Sequence, residues 1–396
     1  MSGAGSRQRA YLDHNATSPL RPQARAALLE ALEEGGNAAS VHAEGRAARA
    51  RLERARREVA ALAQADPAGV VFVSGASEAS ALALHPHFDR AGRPGVCDVL
   101  LASAVEHPCV LKGHRFADDQ LEILPVDREG VLDLEVLEAR LAAHARAGRR
   151  AMLALMAANN ETGARQPVAE AARLVHGRDG VVVCDAVQLA GRAELDIAAL
   201  GADMLFISAH KMGGPTGAGA LVCAHADTRP GVPVIGGGGQ ERGRRGGTQN
   251  VPGIAGFAAA ATAARAQLSA EPLRLKSLRD RLEREIVECF HGTRVAGAGA
   301  DRLPNTACVM FPGLKAETLV VALDLAHISV SAGSACSSGK VGVSHVLTAM
   351  GLGPDEAGSA IRFSLGWSSA QTDVDQALAA LGRVAPRMNS RPARVA

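Results

Sequence analysis

The sequence lacks the cysteine pattern of a disulfide framework or of a structural zinc site. Its seven cysteines are scattered, odd in number and form no Cys-x-x-Cys pair, so we predict neither kind of cross-link and no metal site. Cys97, Cys184, Cys223 and Cys308 lie in or beside apolar runs, which favours burial as small hydrophobic residues. Cys336 differs from these four because its neighbours are polar or very small.

Long apolar runs and an excess of charge of one sign are also missing. No apolar stretch is long enough to span a bilayer, and the first residues hold no apolar core of a secretory signal. The net charge of +2 gives no reason to expect nucleic acid or an anionic membrane as a partner. We therefore predict a cytoplasmic protein that binds neither nucleic acid nor membrane.

The chain is long enough for more than one core. Its 396 residues are 47% hydrophobic and 21% charged, which is ordinary for a globular protein with one large and one smaller domain. Between residues 70 and 223, short apolar runs alternate with helical segments, which predicts a mostly parallel sheet covered on both faces. A long helical stretch over about residues 252–290 is expected to lead into the second domain.

Several of the predicted strands end in residues that suit ligand binding, since ligands of such folds collect at the carboxyl ends of strands. The run Ser74-Gly-Ala-Ser-Glu78 begins a helix with small residues. Such a helix start could bind a phosphate through its N–H groups, or it could be an ordinary capped helix start. His107 could stack on an aromatic ring, relay protons or be structural. The paired amides Asn159 and Asn160 could bond a ligand oxygen or hold a turn.

The strand ends at Asp185 and Lys211 predict more specific chemistry. Asp185 ends a fully apolar strand, where a carboxylate needs a partner because burying it alone is costly. The partner could be a pyridinium nitrogen, or Asp185 could cap a helix or form a salt bridge. Gln188, one turn later, could reach the same ligand. An aldehyde cofactor needs a lysine amine where Lys211 stands, with an acid beside its ring nitrogen. A lysine able to form a Schiff base, together with the thiol of Cys336, suggests sulfur chemistry on an amino acid.

These motifs resemble the cysteine desulfurases of the NifS/IscS group, which are pyridoxal-phosphate enzymes of the class V aminotransferase fold. The resemblance spans roughly residues 11 to 385. The motifs that carry it, in family order, are Tyr11-Leu-Asp-x-x-Ala-Thr17, Ser74-Gly-Ala-Ser-Glu78, Glu106-His107, Asn159-Asn-Glu-x-Gly163, Asp185-Ala-x-Gln188, Ser208-x-His-Lys211, Gly236-Gly-Gly-x-Gln-Glu-Arg-Gly-x-Arg-x-Gly-Thr248, Ser331-x-Gly-Ser-Ala-Cys336 and Ile361-Arg-Phe-Ser-Leu-Gly366.

The resemblance implies an α/β fold of the aspartate aminotransferase type, fold type I. A large domain of residues 20–260 would carry a mostly parallel seven-stranded sheet and bind the cofactor. Residues 1–19 and 261–396 would form a smaller α+β domain that carries the Cys336 loop. The implied assembly is an obligate homodimer in which Thr248 reaches the phosphate of the neighbouring subunit's cofactor.

The resemblance also implies a role for each matched site residue. Lys211 would hold pyridoxal 5'-phosphate as a Schiff base, Asp185 would pair with its ring nitrogen, and His107 would stack on the ring. The remaining implied contacts are Gln188 and Asn160 to the ring oxygen, Ala76, Ser77, Ser208 and His210 to the phosphate, and Arg362, with Asn15 or Asn37, to the substrate. Ser77 stands where the family usually has Thr and keeps the hydroxyl, whereas Ala81 replaces a usual Asn.

The implied reaction removes sulfur from L-cysteine and gives L-alanine and a persulfide on Cys336. The persulfide would pass to an acceptor protein, such as an iron–sulfur scaffold or a tRNA-thiolation carrier. A selenocysteine lyase or another transaminase of the same fold is the alternative. A catalytically silent copy would have no need for intact Lys211, Asp185, Arg362 and Cys336, so their presence argues against that alternative. A nicotinamide enzyme would need a Gly-x-Gly-x-x-Gly run after the first strand, and the sequence has none there.

Overall fold

The computed structural model describes residues 9–90, 93–333 and 343–389, so Cys336 lies outside the described residues. The strands are β1 (Ala10–Tyr11), β2 (Val70–Val73), β3 (His87–Arg90), β4 (Arg93–Val96), β5 (Val99–Ser103), β6 (Leu121–Leu124), β7 (Ala151–Met156), β8 (Val181–Asp185), β9 (Met204–Ser208), β10 (Gly219–Cys223), β11 (Arg229–Pro230), β12 (Arg294–Val295), β13 (Thr306–Met310), β14 (Ile328–Ser329), β15 (Ser331–Ala332) and β16 (Ala360–Ser364). The α-helices are α1 (Pro22–Glu34), α2 (Ala43–Leu62), α3 (Ala76–Ala83), α4 (Pro108–Leu111), α5 (Leu134–Arg146), α6 (Val168–His176), α7 (Val251–Gln267), α8 (Glu271–Cys289), α9 (Ala316–Leu325), α10 (His345–Ala349), α11 (Pro354–Ala357) and α12 (Gln371–Asn389).

Seven of the described strands form one sheet in the order β2-β10-β9-β8-β7-β5-β6. Neighbours from β9 to β6 run parallel, whereas β10 is antiparallel to both of its neighbours. Every residue of β7, β8 and β9 is buried, as expected for strands that helices cover on both faces. The mostly parallel seven-stranded sheet expected from the sequence is therefore present.

Alternate residues of each strand enter different apolar layers, since successive side chains of a strand point to opposite faces. Val182 and Cys184 pack in the layer formed with α2, α6 and α7, which includes Phe257. Val181 and Val183 pack in the opposite layer, with α3. The two layers hold the sheet rigid and fix the positions of its strand ends.

A second core combines the beginning and the end of the chain. It includes Leu12, Leu282, Phe363 and Leu381 and lies against a four-stranded sheet of order β12-β13-β16-β15. Strand β1 joins this part of the molecule by pairing in parallel with β14. Helix α7 packs in the first core, and the domain boundaries at residues 20 and 260 stay a prediction.

The long helical stretch expected over about residues 252–290 consists of two helices, α7 and α8, with a break between them. The reason is Pro272, which has no N–H to donate and would clash with a carbonyl inside a continuous helix. Proline is accommodated in the first turn of α8, where no intrahelical donor is needed. The antiparallel hairpin of β3 and β4 was not predicted either. Among the described residues, no helix is both long enough and apolar enough to cross a membrane.

Candidate active site

A cavity of about 440 Å³ lies at the carboxyl ends of the parallel strands. Residues that follow β2, β5, β7, β8 and β9 line it together with the N-terminal segment and β16, so both cores contribute to its wall. Eleven of the residues predicted from the sequence line this cavity, namely Asn15, Ala76, Ser77, His107, Asn160, Asp185, Gln188, Ser208, His210, Lys211 and Arg362. The fold thus collects side chains that are up to 347 residues apart in the chain.

Lys211 enters the cavity from the turn that directly follows β9. Its Nζ donates hydrogen bonds to the carbonyl oxygens of Asn15, at 2.6 Å, and Ala16, at 2.9 Å. Both acceptors belong to the segment that follows β1, and β1 itself pairs with β14 beside the second core. The N-terminal segment therefore orients the amine of Lys211, which follows a strand of the seven-stranded sheet.

Asp185 ends β8 with its carboxyl group buried at the cavity, where only 7% of the residue is exposed. Its Oδ1 accepts a hydrogen bond from the Val187 N–H at 2.9 Å. Burial raises the pKa of Asp185 to about 6, although the bond from Val187 and the charge of Lys211 act in the opposite direction. A buried carboxylate of this kind is stabilised by a cation inside the cavity.

His107 follows β5 and is neutral at pH 7. Burial lowers the pKa of its ring to about 4, and the nearby charges of Lys211 and His345 lower it further. Its Nδ1 accepts a hydrogen bond from the Cys109 N–H at 3.1 Å, which places the ring proton on Nε2. A flat, uncharged ring in the cavity wall suits stacking on an aromatic ligand.

Helix α3 starts at the cavity without a side-chain cap on its first N–H groups. Gly75 occupies the cap position and has no side chain to donate or accept. A Cβ on Gly219 would lie 2.7 Å from the Gly75 Cα, so glycine is needed for β10 to approach this turn. The hydroxyls of Ser77 and Ser208 line the same cavity. Uncapped N–H groups at a helix start, with hydroxyls nearby, suit an anion such as phosphate.

Arg362 brings a guanidinium from β16 to the cavity, and only 2% of the residue is exposed. Its Nη2 donates to Asp13 Oδ1 at 2.7 Å and its Nη1 donates to the Asn160 carbonyl oxygen at 3.1 Å. Its Nε is buried and has no hydrogen-bond partner in the described part of the chain. Because a buried unpaired donor is costly, this N–H favours a ligand with an acceptor such as a carboxylate.

Comparison with known proteins identifies the family to which this arrangement belongs. The family model of the class-V aminotransferases matches residues 10–377. This chain belongs to the class-V aminotransferase family. As a class-V aminotransferase, it is 40% identical over 393 residues to a protein of Cereibacter sphaeroides named cysteine desulfurase, with 97% of each chain covered. It is 37% identical over 387 residues to cysteine desulfurase IscS 1 of Archaeoglobus fulgidus, covering 96% of this chain and 98% of that one.

The fold of this class-V aminotransferase also matches that of solved relatives. A NifS-like protein from Rickettsia africae superposes with a TM-score of 0.84 at 29% sequence identity. The match covers 96% of this chain and 100% of the other. The fold class expected from the sequence is thereby confirmed.

Two predicted site residues of this class-V aminotransferase lie outside the cavity lining in the described ranges. Asn37 is exposed, and its Oδ1 accepts from the Ala39 N–H at 2.9 Å. Thr248 is exposed at the end of the glycine-rich segment 236–247. Their roles in substrate binding and across a dimer interface stay predictions.

Asn15 lines the cavity, yet its side-chain amide is engaged within the protein. Its Nδ2 donates to Thr306 Oγ1 at 2.9 Å and to the Asn160 carbonyl oxygen at 3.1 Å, and its Oδ1 accepts from Asn305 Nδ2 at 3.0 Å. A contact from this amide to a substrate stays a prediction. The backbone oxygen of Asn15 instead orients Lys211 and Gln188.

Sequence reasoning missed three charged residues that lie behind the cavity lining of this class-V aminotransferase. Asp13 pairs with Arg362, Glu161 is buried beside Ser344, and Arg192 contacts the backbone of Lys211. Asp13 and Glu161 lie inside quoted motifs, so proximity to those motifs was an available signal. Arg192 had no such signal, because its partners come from three separate parts of the chain.

Proposed function

We propose that this class-V aminotransferase is a cysteine desulfurase that depends on pyridoxal 5'-phosphate. It removes sulfur from L-cysteine, releases L-alanine and leaves a persulfide on Cys336. The observation that carries the proposal is that Lys211, the buried Asp185 and the guanidinium-bearing Arg362 line one cavity. The relatives named cysteine desulfurase, which match the chain over nearly its whole length, support the choice of substrate.

The lining fits the proposed cofactor at several points. Asp185 is a buried carboxylate whose charge a protonated ring nitrogen would stabilise. The uncapped N–H groups of α3, with Ser77 and Ser208, fit the phosphate. Lys211 would hold the aldehyde carbon through its Nζ, and the neutral ring of His107 would stack on the cofactor ring.

The residues expected to complete this fit are Gln188 and Asn160 at the ring oxygen and Ala76 and His210 at the phosphate. When bound, pyridoxal phosphate supplies an aromatic ring that withdraws electrons from the α-carbon of the amino acid. The protein supplies orientation and proton transfer. Arg362 binds the substrate carboxylate through its remaining donors, and Lys211 Nζ takes the proton from the α-carbon.

Cys336 is the proposed sulfur acceptor. Its thiolate Sγ attacks the sulfur of the substrate, a sulfur–sulfur bond forms, and the bond from that sulfur to the substrate β-carbon breaks. The β-carbon retains the electron pair of the broken bond and gains a proton, which gives the methyl group of alanine. Cys109 also lines the cavity, but burial raises the pKa of its thiol, so it stays protonated and is a poor nucleophile.

The proposal extends to partners and location. The chain would act as a homodimer in which Thr248, exposed at the end of the glycine-rich segment, contacts the neighbouring subunit's phosphate site. The persulfide would pass to the thiol of an acceptor protein, such as an iron–sulfur scaffold. A reaction that uses a free thiolate suits a reducing compartment, so the cytoplasm is the proposed location.

Incubation of the purified, cofactor-loaded protein with L-cysteine tests the function. We expect stoichiometric alanine and, in intact mass spectra recorded without reductant, the addition of one sulfur atom that maps to Cys336. Cys336→Ala should abolish the adduct and keep the cofactor spectrum. Cys289→Ala, which alters an exposed cysteine, should leave both unchanged.

Two outcomes of this assay would overturn the proposal. Alanine from selenocysteine but not from cysteine would indicate a selenocysteine lyase. No alanine from either substrate, despite bound cofactor, would indicate an aminotransferase that acts on another amino acid.

A further inference from the structure

Arg192 is a buried arginine that connects three segments of the cavity wall. Only 6% of the residue is exposed. Its Nη1 donates to the Gln188 carbonyl oxygen at 2.9 Å and to Gln188 Oε1 at 2.5 Å. Its Nη2 donates to the carbonyl oxygens of His14, at 3.0 Å, and Lys211, at 3.2 Å. One guanidinium therefore fixes the turn after β8, the N-terminal segment and the lysine turn relative to one another.

The acceptors of Arg192 are all uncharged oxygens. In the described ranges no carboxylate forms an ion pair with this guanidinium. Burial lowers the pKa of Arg192 to about 9, and the charge of Arg362 contributes, so the group is still protonated at pH 7. A buried cation without a carboxylate partner is costly to retain, which suggests that its charge and its donors serve the cavity.

Arg192 determines which end of the Gln188 amide faces the cavity. Arginine can only donate hydrogen bonds, so the group that contacts its Nη1 must be the amide oxygen of Gln188. The amide nitrogen then lies on the other side, where one N–H donates to the Asn15 carbonyl oxygen at 3.2 Å. Gln188 lines the cavity, and no acceptor of its second N–H is found among the described residues, so this N–H can donate to a ligand oxygen.

We propose that Arg192 is a positioning residue that holds Gln188 as a hydrogen-bond donor to the ring oxygen of pyridoxal phosphate. The inference rests on the proposed function, since it concerns the cofactor of that reaction. Without Arg192 only the 3.2 Å bond to the Asn15 carbonyl oxygen holds the Gln188 amide. The amide can then rotate and present its oxygen, which would repel the ring oxygen instead of binding it. Arg192 itself does not line the cavity and acts through Gln188.

Titration of the cofactor-free protein with two ligands tests this role. Pyridoxal phosphate and 3-deoxypyridoxal phosphate, which lacks the ring oxygen, are each titrated and binding is followed by absorbance. In the unaltered protein we expect pyridoxal phosphate to bind about 10- to 100-fold more tightly than the deoxy analogue. In Arg192→Met this preference should fall about tenfold, because the Gln188 donor to the ring oxygen is lost while Asn160 remains.

The matched control is Arg279→Met. Arg279 is also buried, and its Nη1 donates to the Leu303 carbonyl oxygen at 2.8 Å, away from the cavity. This variant should keep the preference of the unaltered protein. A general loss of stability would weaken the binding of both ligands equally, so the ratio of the two affinities separates positioning from mere folding.

A second pair of variants keeps the test decisive if Arg192→Met does not fold. Arg192→Lys retains the charge and one donor but loses the planar fork, and it should reduce the preference about three- to tenfold in the unaltered background. In a Gln188→Leu background the same change should leave the ratio unaltered. An unchanged ratio in Arg192→Met, or in Arg192→Lys alone, would overturn the inference.

Failure of the inference and failure of the proposed function give different results. If the unaltered protein binds neither ligand, the cofactor assignment is wrong. If it binds both with equal affinity, the cofactor assignment stands and the donor role of Gln188 and Arg192 is wrong.

Discussion

Buried charges beneath the glycine-rich segment and buried charges around the cavity are paired in different ways. At the glycine-rich segment, the Nη1 and Nη2 atoms of Arg56 donate to the carboxylate of Glu241, at 2.8 and 3.0 Å. Glu241 also accepts from the Phe72 N–H at 2.9 Å and from Gln249 Nε2 at 3.2 Å. Each carboxylate oxygen therefore has two donors, and the pair fastens this segment to α2 and β2.

The backbone at this position is strained, which explains the complete pairing. Glu241 and Arg242 both have positive φ angles, of 47° and 57°. Residues other than glycine rarely adopt such angles unless the surrounding structure holds them. The buried ion pair of Arg56 and Glu241 stabilises this conformation, so its role is structural.

The charged groups around the cavity are not paired in this way. The Nε of Arg362 has no partner among the described residues, and the acceptors of Arg192 are all uncharged. Glu161 accepts from Ser344 Oγ at 2.5 Å, and burial raises its pKa to about 7. The comparison teaches that the Arg56–Glu241 pair uses both of its carboxylate oxygens within the fold, whereas Arg362 keeps one donor without a partner among the described residues.

The largest expected effect is that of Lys211→Ala. Loss of the amine removes the covalent attachment point and the proposed base, so the rate of alanine formation should fall at least about 1,000-fold. Borohydride treatment of the cofactor-loaded protein should label the peptide that contains Lys211 in the unaltered protein only. The control is Lys276→Ala, which alters an exposed lysine on α8. A cofactor label that persists in Lys211→Ala would contradict the assignment.

The next largest effect is the loss of folding stability when the Arg56–Glu241 ion pair is broken. Glu241→Gln leaves the buried Arg56 charge with only the longer contact to the partly exposed Glu53, at 3.3 Å, so the free energy of unfolding should fall by about 3 kcal/mol. Denaturant unfolding of the cofactor-free protein measures this. Glu170→Gln, at an ion pair whose side chains are more than half exposed, should cost less than about 1 kcal/mol. Equal losses in the two variants would remove the distinction between buried and exposed pairs.

The pH dependence of stability should differ in sign between Glu241 and Glu161. Burial opposes ionisation of Glu241, but its bonds to Arg56 and the charge of Arg56 lower its pKa overall. Its contribution is therefore present at neutral pH and lost as the pH falls. Burial raises the pKa of Glu161 from 4.5 to about 7, so its contribution is present at low pH and lost as the pH rises through that range.

Comparison of the unaltered protein with Glu161→Gln isolates this second contribution, since glutamine does not titrate. Between pH 4.5 and about 7, the unaltered protein should lose roughly 2–3 kcal/mol of stability relative to the variant. Unfolding midpoints measured across this pH range give the difference. A relative stability that rises with pH would show that Glu161 is ionised and paired, like Glu241.

The smallest expected effect is that of Arg362→Lys. Lysine keeps the charge but cannot offer two parallel donors to a carboxylate, so the KM for L-cysteine should rise about tenfold with little change in kcat. Steady-state alanine formation measures both constants. Arg294→Lys, which alters an exposed arginine, is the control. A fall in kcat with an unchanged KM would place Arg362 in the chemical step and not in substrate binding.

Much of the fold was predictable because the central strands are short and apolar. The expected strands at residues 70–73, 181–185 and 204–208 coincide with β2, β8 and β9. The hairpin of β3 and β4 was missed because its residues show no apolar alternation and Pro94 lies within it. Pairing with β11, more than a hundred residues later in the chain, is a long-range contact that no local pattern encodes.

The chain itself determined the alternation of strands and helices, and the residue types that follow each strand. These are local properties that depend only on neighbours in the chain. They are the repeat of apolar side chains along a strand or helix, the presence of glycine at tight turns, and the polar residue that follows an apolar run. That information was sufficient to place Lys211, Asp185 and His107 at one edge of one sheet.

Only the tertiary structure decided which donor meets which acceptor. Arg362 and Asp13 are 349 residues apart, yet they pair at 2.7 Å. Arg192 fixes the orientation of Gln188 through contacts that also reach His14 and Lys211. Hydrogen bonds depend on distances of a few tenths of an ångström and on direction. Those distances are set by the packing of the two cores against each other, so no local pattern of residues contains them.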